Sequence, residues 1–167
     1  QGIEDVLFAQ DEAQKETIWS LRRSVGEAVK RESVYKEEDT VVPRFKLPDL
    51  LRYTKEIGRK YGFRSVCYGH AGDGNLHINI LKDELSDSEW KEMLPRAIKE
   101  LFQEVKMLGG TLSGEHGIGL VQKEYLPVVL KEKNIELLRE IKSVFDPKGI
   151  LNPNKIFPEK QQNNGSK

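Results

Sequence analysis

Long apolar runs, paired cysteines and an excess of either charge are all missing from this sequence. No stretch of about eighteen apolar residues occurs, so no segment reads as a transmembrane helix. Lys+Arg and Asp+Glu both count 27, and the formal net charge of zero removes the bulk basic field of a nucleic-acid or membrane-surface binder. The single cysteine, Cys67, excludes an internal disulfide framework and fits a reducing, cytoplasmic compartment. Its place in an apolar run predicts a buried, inert thiol more than a nucleophile. An initiator Met and a signal segment are missing too. The chain starts Gln1-Gly2-Ile3 and is expected to be a piece of something longer. What remains, 167 residues of which 37% are hydrophobic, can bury one core.

Glycine and histidine are where the sequence is rich. All three histidines and eight of the fourteen glycines fall in two stretches, 68–79 and 109–119. The first reads Tyr68-Gly69-His70-Ala71-Gly72-Asp73-Gly74-Asn75-Leu76-His77-Ile78-Asn79. The second reads Gly109-Gly110-Thr111-Leu112-Ser113-Gly114-Glu115-His116-Gly117-Ile118-Gly119. Glycine adds no packing and costs chain entropy, so its clustering around histidine predicts backbone bent tightly about one site, split in sequence and joined in space.

The flanking chain supplies helices and strands in alternation. Ile3–Ala9 is short, apolar and strand-compatible. Residues 11–31 place Ile18, Leu21, Val25 and Ala28 on one helical stripe, with Gly26 inside it. Residues 32–46 read as a polar loop holding a short strand over Thr40–Val42 that Pro43 stops. Leu47, Leu50, Leu51, Thr54, Ile57 and Tyr61 form a second stripe, with Pro48 in its first turn and Gly62 closing it. Phe63–Tyr68 reads as a buried strand. Asn75–Leu81 alternates polar and apolar, which predicts a strand with His77 and Asn79 on a wet face and Leu76, Ile78 and Ile80 on a core face. Ser86 and Glu89 form a capping-box signature for a helix carrying Trp90, Leu94, Ala97, Ile98, Leu101, Phe102 and Val105. Residues 119–132 read as helix broken by Pro127. Asn134 is the expected cap of a last helix with Leu137, Leu138, Ile141, Val144 and Phe145. An apolar tail, 150–157, is expected to dock back, and a polar, low-complexity end to be disordered. The domain is therefore set at 1–158 and the disordered tail at 159–167. The turn between His70 and His77 is too short for a parallel crossover, so the reading is α+β, an antiparallel sheet covered by helices.

Two imidazoles flanking a reversing turn, plus a carboxylate in a loop open to close approach, form a usual ligand set for Zn²⁺, and also for Fe²⁺ or Mn²⁺. That set is His70, His77 and Glu115. His116, beside the carboxylate, would be left free as a general base. The plainer alternative is that these glycines make turns and the histidines cap them. Gly69-x-x-Gly72-x-Gly74 is not a dinucleotide fingerprint, since it precedes a strand where that fingerprint opens a helix. Gly114-x-x-Gly117-x-Gly119 leaves an anion at a helix start open. Arg22, Arg23 and Lys36 could each hold a carboxylate or simply be solvated charges.

Three ordered stretches then add a resemblance. Gly-His-Ala-Gly-Asp-Gly-Asn-Leu-His, Ser-Gly-Glu-His-Gly-Ile-Gly and Phe-Asp-Pro-Lys-Gly-Ile-Leu-Asn-Pro-Asn-Lys together resemble the C-terminal domain of FAD-linked oxidases, from about Val6 to Phe157. This is the group of the glycolate oxidase D subunit, D-lactate dehydrogenase and D-2-hydroxyglutarate dehydrogenase. The resemblance implies a ferredoxin-like cap domain, truncated here, whose FAD sits mostly on an N-terminal domain that this chain lacks. It implies His70, His77 and Glu115 as ligands of a divalent metal, zinc or else iron or manganese, and His116 as the catalytic base. By the same token Arg22, Lys36 and Asn79 match substrate-binding positions, and Asn152 and Lys155 match a tail that returns toward the flavin. Gly26 stands where relatives acting on a dicarboxylate can carry a hydroxyl residue. The expected partners are a small 2-hydroxy acid, the missing FAD domain and a redox partner subunit. Through such subunits a cytoplasmic protein could lie peripheral to a membrane. The leading expectation is a fragment of an FAD-dependent D-2-hydroxy-acid dehydrogenase, inactive alone. The rival is a stand-alone metal-binding or interaction module that keeps the cap fold.

Overall fold

Strand β3 (Asn75–Leu81) is the centre of the molecule, and its alternation sets both faces of the sheet. The computed structural model describes residues 7–159. β1 (Tyr35–Val41) runs antiparallel to β3 with Asp39 opposite His77. On the other side β2 (Arg64–His70) runs antiparallel with Tyr68 opposite His77. A two-residue β4 (Thr111–Leu112) pairs with the far edge of β1, giving the order β2-β3-β1-β4. With α2 (Leu47–Tyr61) between β1 and β2 and α3 (Asp87–Met107) between β3 and β4, the chain has the β-α-β-β-α-β topology of a ferredoxin-like sheet. The architecture is α+β.

Both covering helices form for local reasons. Pro48 pre-sets the first turn of α2, and Gly62 ends it in the left-handed region at φ 77°. Ser86 and Glu89 close a full capping box on α3, with Ser86 N donating to Glu89 Oε2 at 2.9 Å. The two helices lie on the face that shows Leu76, Ile78 and Ile80. There Leu50, Ile57, Ala97, Ile98, Leu101, Phe102 and Val105 complete one core. Each of these side chains larger than Ala97 contributes about 1.5–3 kcal/mol by leaving water.

Several elements differ from the sequence reading. The strand expected over Thr40–Val42 is seven residues long and starts at Tyr35. Four consecutive charges, Lys36 to Asp39, hide its alternation, yet it is an inner strand with neighbours on both sides. The expected strand at 3–9 lies mostly outside the described residues, and Leu7–Ala9 take no part in the sheet. Helix α1 (Glu12–Glu32) forms, capped by Asp11, but Ile18 and Leu21 of its stripe are exposed, and among its described side chains the buried one is Val29. Residues 119–132 are not one helix. A 3-10 turn at Lys123–Tyr125 leads into the single turn α4 (Leu126–Val129), with Pro127 at its start. Lys131, not Asn134, caps α5 (Glu132–Phe145), so Asn134 sits in the first turn. Of α5, Ile135 is buried, whereas Leu137, Ile141, Val144 and Phe145 are exposed. The tail is tied down at Ile156, whose N–H donates to Gly119 O at 2.6 Å, and by Arg139 over the Phe157 ring at 4.8 Å. Residues 160–167 of the expected disordered tail lie outside the described residues.

Candidate metal centre

The pleat puts Tyr68, His77 and Asp39 in one cross-strand row on the sheet face away from α2 and α3. Val66, Asn79 and Glu37 form the next row. This face was expected to be wet, and it is not. His77 and Asn79 are buried, at 5% and 1% exposure, because the second glycine-rich loop lies over it and α1 approaches its rim. A Cβ on Gly26 of α1 would stand 3.5 Å from Tyr68 Oη, and Arg22 is one turn earlier on the same side of that helix.

Asp39 holds the loop down. Its carboxylate accepts the backbone N–H of Glu115 at 2.8 Å and of His116 at 2.9 Å, and the Asn75 side-chain amide at 2.6 Å. Its own carbonyl accepts Ser113 N–H at 2.8 Å. Burial opposes ionisation of this carboxyl, but the backbone donors of Glu115 and His116 and the Asn75 amide outweigh it and hold its pKa below the usual carboxylate range. The close fit requires glycine at 114, where a Cβ would run into the Asn75 amide.

Anchored in this way, the loop delivers Glu115 to the histidines. Glu115 Oε1 lies 2.9 Å from His77 Nε2 and 3.8 Å from His70 Nε2. One donor atom each from His70, His77 and Glu115 fall within 4.8 Å of one another. With bonds of about 2 Å to a central ion, small side-chain rotations bring three such donors into one coordination sphere, so the donor set fits a divalent cation. His116 stacks on His77, ring centroids 4.9 Å apart and planes at 27°, and stays half exposed. Its Nε2 is 4.0 Å from Glu115 Oε1, on the side of the donors.

The sequence profile of the family described as FAD linked oxidases, C-terminal domain, matches residues 1–156. The chain belongs to this family. It is 38% identical over 93% of its length to a D-lactate dehydrogenase of Anaerostipes hadrus, 37% identical over 92% to a D-2-hydroxyglutarate dehydrogenase of Stutzerimonas stutzeri, and 35% identical over 92% to a glycolate oxidase subunit of Bacillus subtilis. It spans about a third of each of these relatives, 33%, 33% and 31%.

Within this FAD-linked oxidase domain the other expected site residues divide. Asn79 is on the site face, its amide directed at Val66 O at 3.4 Å. Lys36 is not. It pairs in register with Ile80 on the helix-covered face, where Nζ lies 2.6 Å from Glu38 Oε1 and donates to Glu37 O at 2.9 Å. One residue of alternation decides this, and Glu37 takes the site-side place. Arg22 is exposed, its guanidinium 5.7 Å from the Trp19 ring centre. Asn152 and Lys155 are exposed and bonded to each other, Lys155 Nζ donating to Asn152 Oδ1 at 3.0 Å. Sequence reasoning missed Asp39, Glu37 and Asn75. The period of two from Glu37 to Asp39 and Val41 was the available signal, and reading the charged run as loop discarded it.

Proposed function

We propose that this chain is the substrate-side domain of an FAD-dependent dehydrogenase that oxidises a small D-2-hydroxy acid of the glycolate or D-lactate type. The convergence of His70, His77 and Glu115 carries the reading. These three residues would hold the divalent cation, zinc, iron or manganese by donor type. When bound, the cation supplies a Lewis acid for the substrate's hydroxyl and carboxylate oxygens, and the flavin supplies a two-electron acceptor.

The chain's own residues account for the proton and for orientation. His116 Nε2 faces the donor cluster and receives the hydroxyl proton, while the Asp39 carboxylate fixes the backbone from which His116 projects. Asn79 presents a side-chain amide on the same face. Arg22 extends from the α1 surface that approaches Tyr68 and is the available bidentate partner for the substrate carboxylate. Lys36, paired in register with Ile80 and engaged by Glu38, is not presented on this face. Burial of His77 and Asn79 makes the floor of the site poor in water, which strengthens the polar contacts made against it. No helix among the described residues is long and apolar enough to cross a membrane.

The test is turnover by the full-length flavoprotein. D-lactate or glycolate should reduce the bound flavin, and His77→Ala should abolish reduction while leaving the oxidised flavin spectrum intact. Retained turnover in that variant would show that the cluster serves another purpose.

A further inference from the structure

The two ring nitrogens of His77 face different surroundings. Nε2 looks toward Glu115 and His70, whereas Nδ1 is buried and has no hydrogen-bond partner. An orphaned polar atom at such depth is costly, so its neighbours need an account. Two carboxylates are near it, Glu37 Oε1 at 3.5 Å and Asp39 Oδ1 at 3.9 Å. Asp39 is fully engaged by Asn75 and by the Glu115 and His116 amides. Glu37 is not. Among the described residues its carboxylate makes no hydrogen bond, and Lys36 reaches only its backbone oxygen. Its side chain is 28% exposed and has room to turn through the remaining half ångström or so.

We propose that Glu37 is a positioning residue: its carboxylate accepts the Nδ1 proton of His77 and so leaves the Nε2 lone pair for the cation. The role of Nε2 rests on the metal reading above, whereas the Glu37–His77 contact stands without it. An imidazole can ligate through Nε2 only if its proton is on Nδ1, and an acceptor there fixes ring orientation and raises ligand basicity. The alternative is that Glu37 itself ligates, since Glu37, His77 and His116 also bring donors within 4.8 Å of one another. A second ion there would need His77 to lose both ring protons, which disfavours it beside an acceptor already in place.

Two measurements on the 167-residue chain test this. In a zinc titration against a chromophoric chelator, the wild-type chain should take one ion. Glu37→Ala should weaken binding about 10–100-fold, and Glu37→Gln, which keeps a carbonyl acceptor, should recover most of the loss. In the metal-free Glu115→Ala chain at about pH 8, long-range ¹H–¹⁵N spectra should show His77 as the Nδ1–H tautomer. Adding Glu37→Ala should move that proton to Nε2. An unchanged tautomer overturns the proposal, and so does wild-type affinity in Glu37→Ala. Two ions per wild-type chain with one lost in Glu37→Ala would make Glu37 a ligand and overturn it as well. If the wild-type chain takes no zinc, the metal reading fails, and the tautomer still decides the Glu37 contact.

Discussion

Adjacent residues of β1, Glu38 and Asp39, are both buried carboxylates, and their surroundings push them in opposite directions. Asp39 faces the site and meets three N–H donors, so its pKa is lowered although burial alone would raise it. Glu38 faces the helices. Burial pushes its carboxyl up, and Lys36 and the Gln122 amide, at 2.8 Å, offset only part of that. The signs of the linkage therefore differ. The unfolded Asp39 carboxyl holds its proton to higher pH than the folded one, so its contribution is complete above about pH 4 and is lost as pH falls through the lower, folded value. Asp39→Ala should cost about 2–4 kcal/mol, as the backbone amides of Glu115 and His116 and the buried Asn75 side-chain amide all lose a charged acceptor. Urea unfolding at neutral pH measures that cost, and hydrogen exchange should show the amides of Glu115 and His116 unprotected. For Glu38 the folded carboxyl holds its proton to higher pH, so its contribution is complete below the ordinary glutamate range and is lost as pH rises through the raised value. Glu38→Gln keeps an acceptor for Gln122 and removes the charge. The variant should lose little stability at about pH 8, and its urea midpoint should fall less than wild type between about pH 5 and pH 8.

Periodicity identifies a helix and its apolar side, but not what covers that side. The α3 stripe is buried because the sheet lies beneath it, and the α5 stripe, equally regular in sequence, is largely in solvent. Substitutions on the two sides of α5 should separate accordingly. Ile135→Ala empties a buried position and should cost about 2–5 kcal/mol, whereas Phe145→Ser, at 79% exposure, should shift stability by less than about 0.5 kcal/mol in a thermal melt. An equal loss in both would mean that α5 is packed against something on its open side. The same contrast explains what was legible in the sequence. β3 could be read because polar and apolar residues alternate through Asn75–Leu81, and α3 because Ser86 and Glu89 announce its start. β1 could not. Its inward positions hold Glu38 and Thr40, whose polarity is met in good part by contacts far along the chain, Gln122 for one and Leu76 O for the other. The site was legible as a set of ligand types in two motifs, but its anchor was not, since nothing local shows that Asp39 will meet the amides of residues 115 and 116.

The molecule as a whole has one closed side and one open side. Helices α2 and α3 seal the first. The second carries the histidines and the loop that Asp39 pins, with helix α1 and its exposed Ile18, Trp19 and Leu21 at the rim. All three proposed cation ligands, the loop anchor and the His77 neighbour Glu37 lie within this chain, on strands set by the core or, for Glu115, on the loop that Asp39 pins. Cation binding should therefore not need the other two-thirds of a protein as long as the relatives. Flavin binding should need it. Asn152 and Lys155, the positions proposed to face the flavin, are exposed and bonded to each other, and the groove between α3, α4, α5 and the tail is lined by Lys106, Glu136 and Arg139 with none of the histidines. The chain purified alone, loaded with zinc, mixed with FAD and passed through gel filtration should retain about one zinc per chain by elemental analysis and no visible flavin absorbance. Zinc without flavin would locate the electron acceptor's binding energy outside these residues. Flavin eluting with the chain would instead mean that the tail and the open face together form a cradle, and the proposal that this domain supplies the substrate side alone would have to be redrawn.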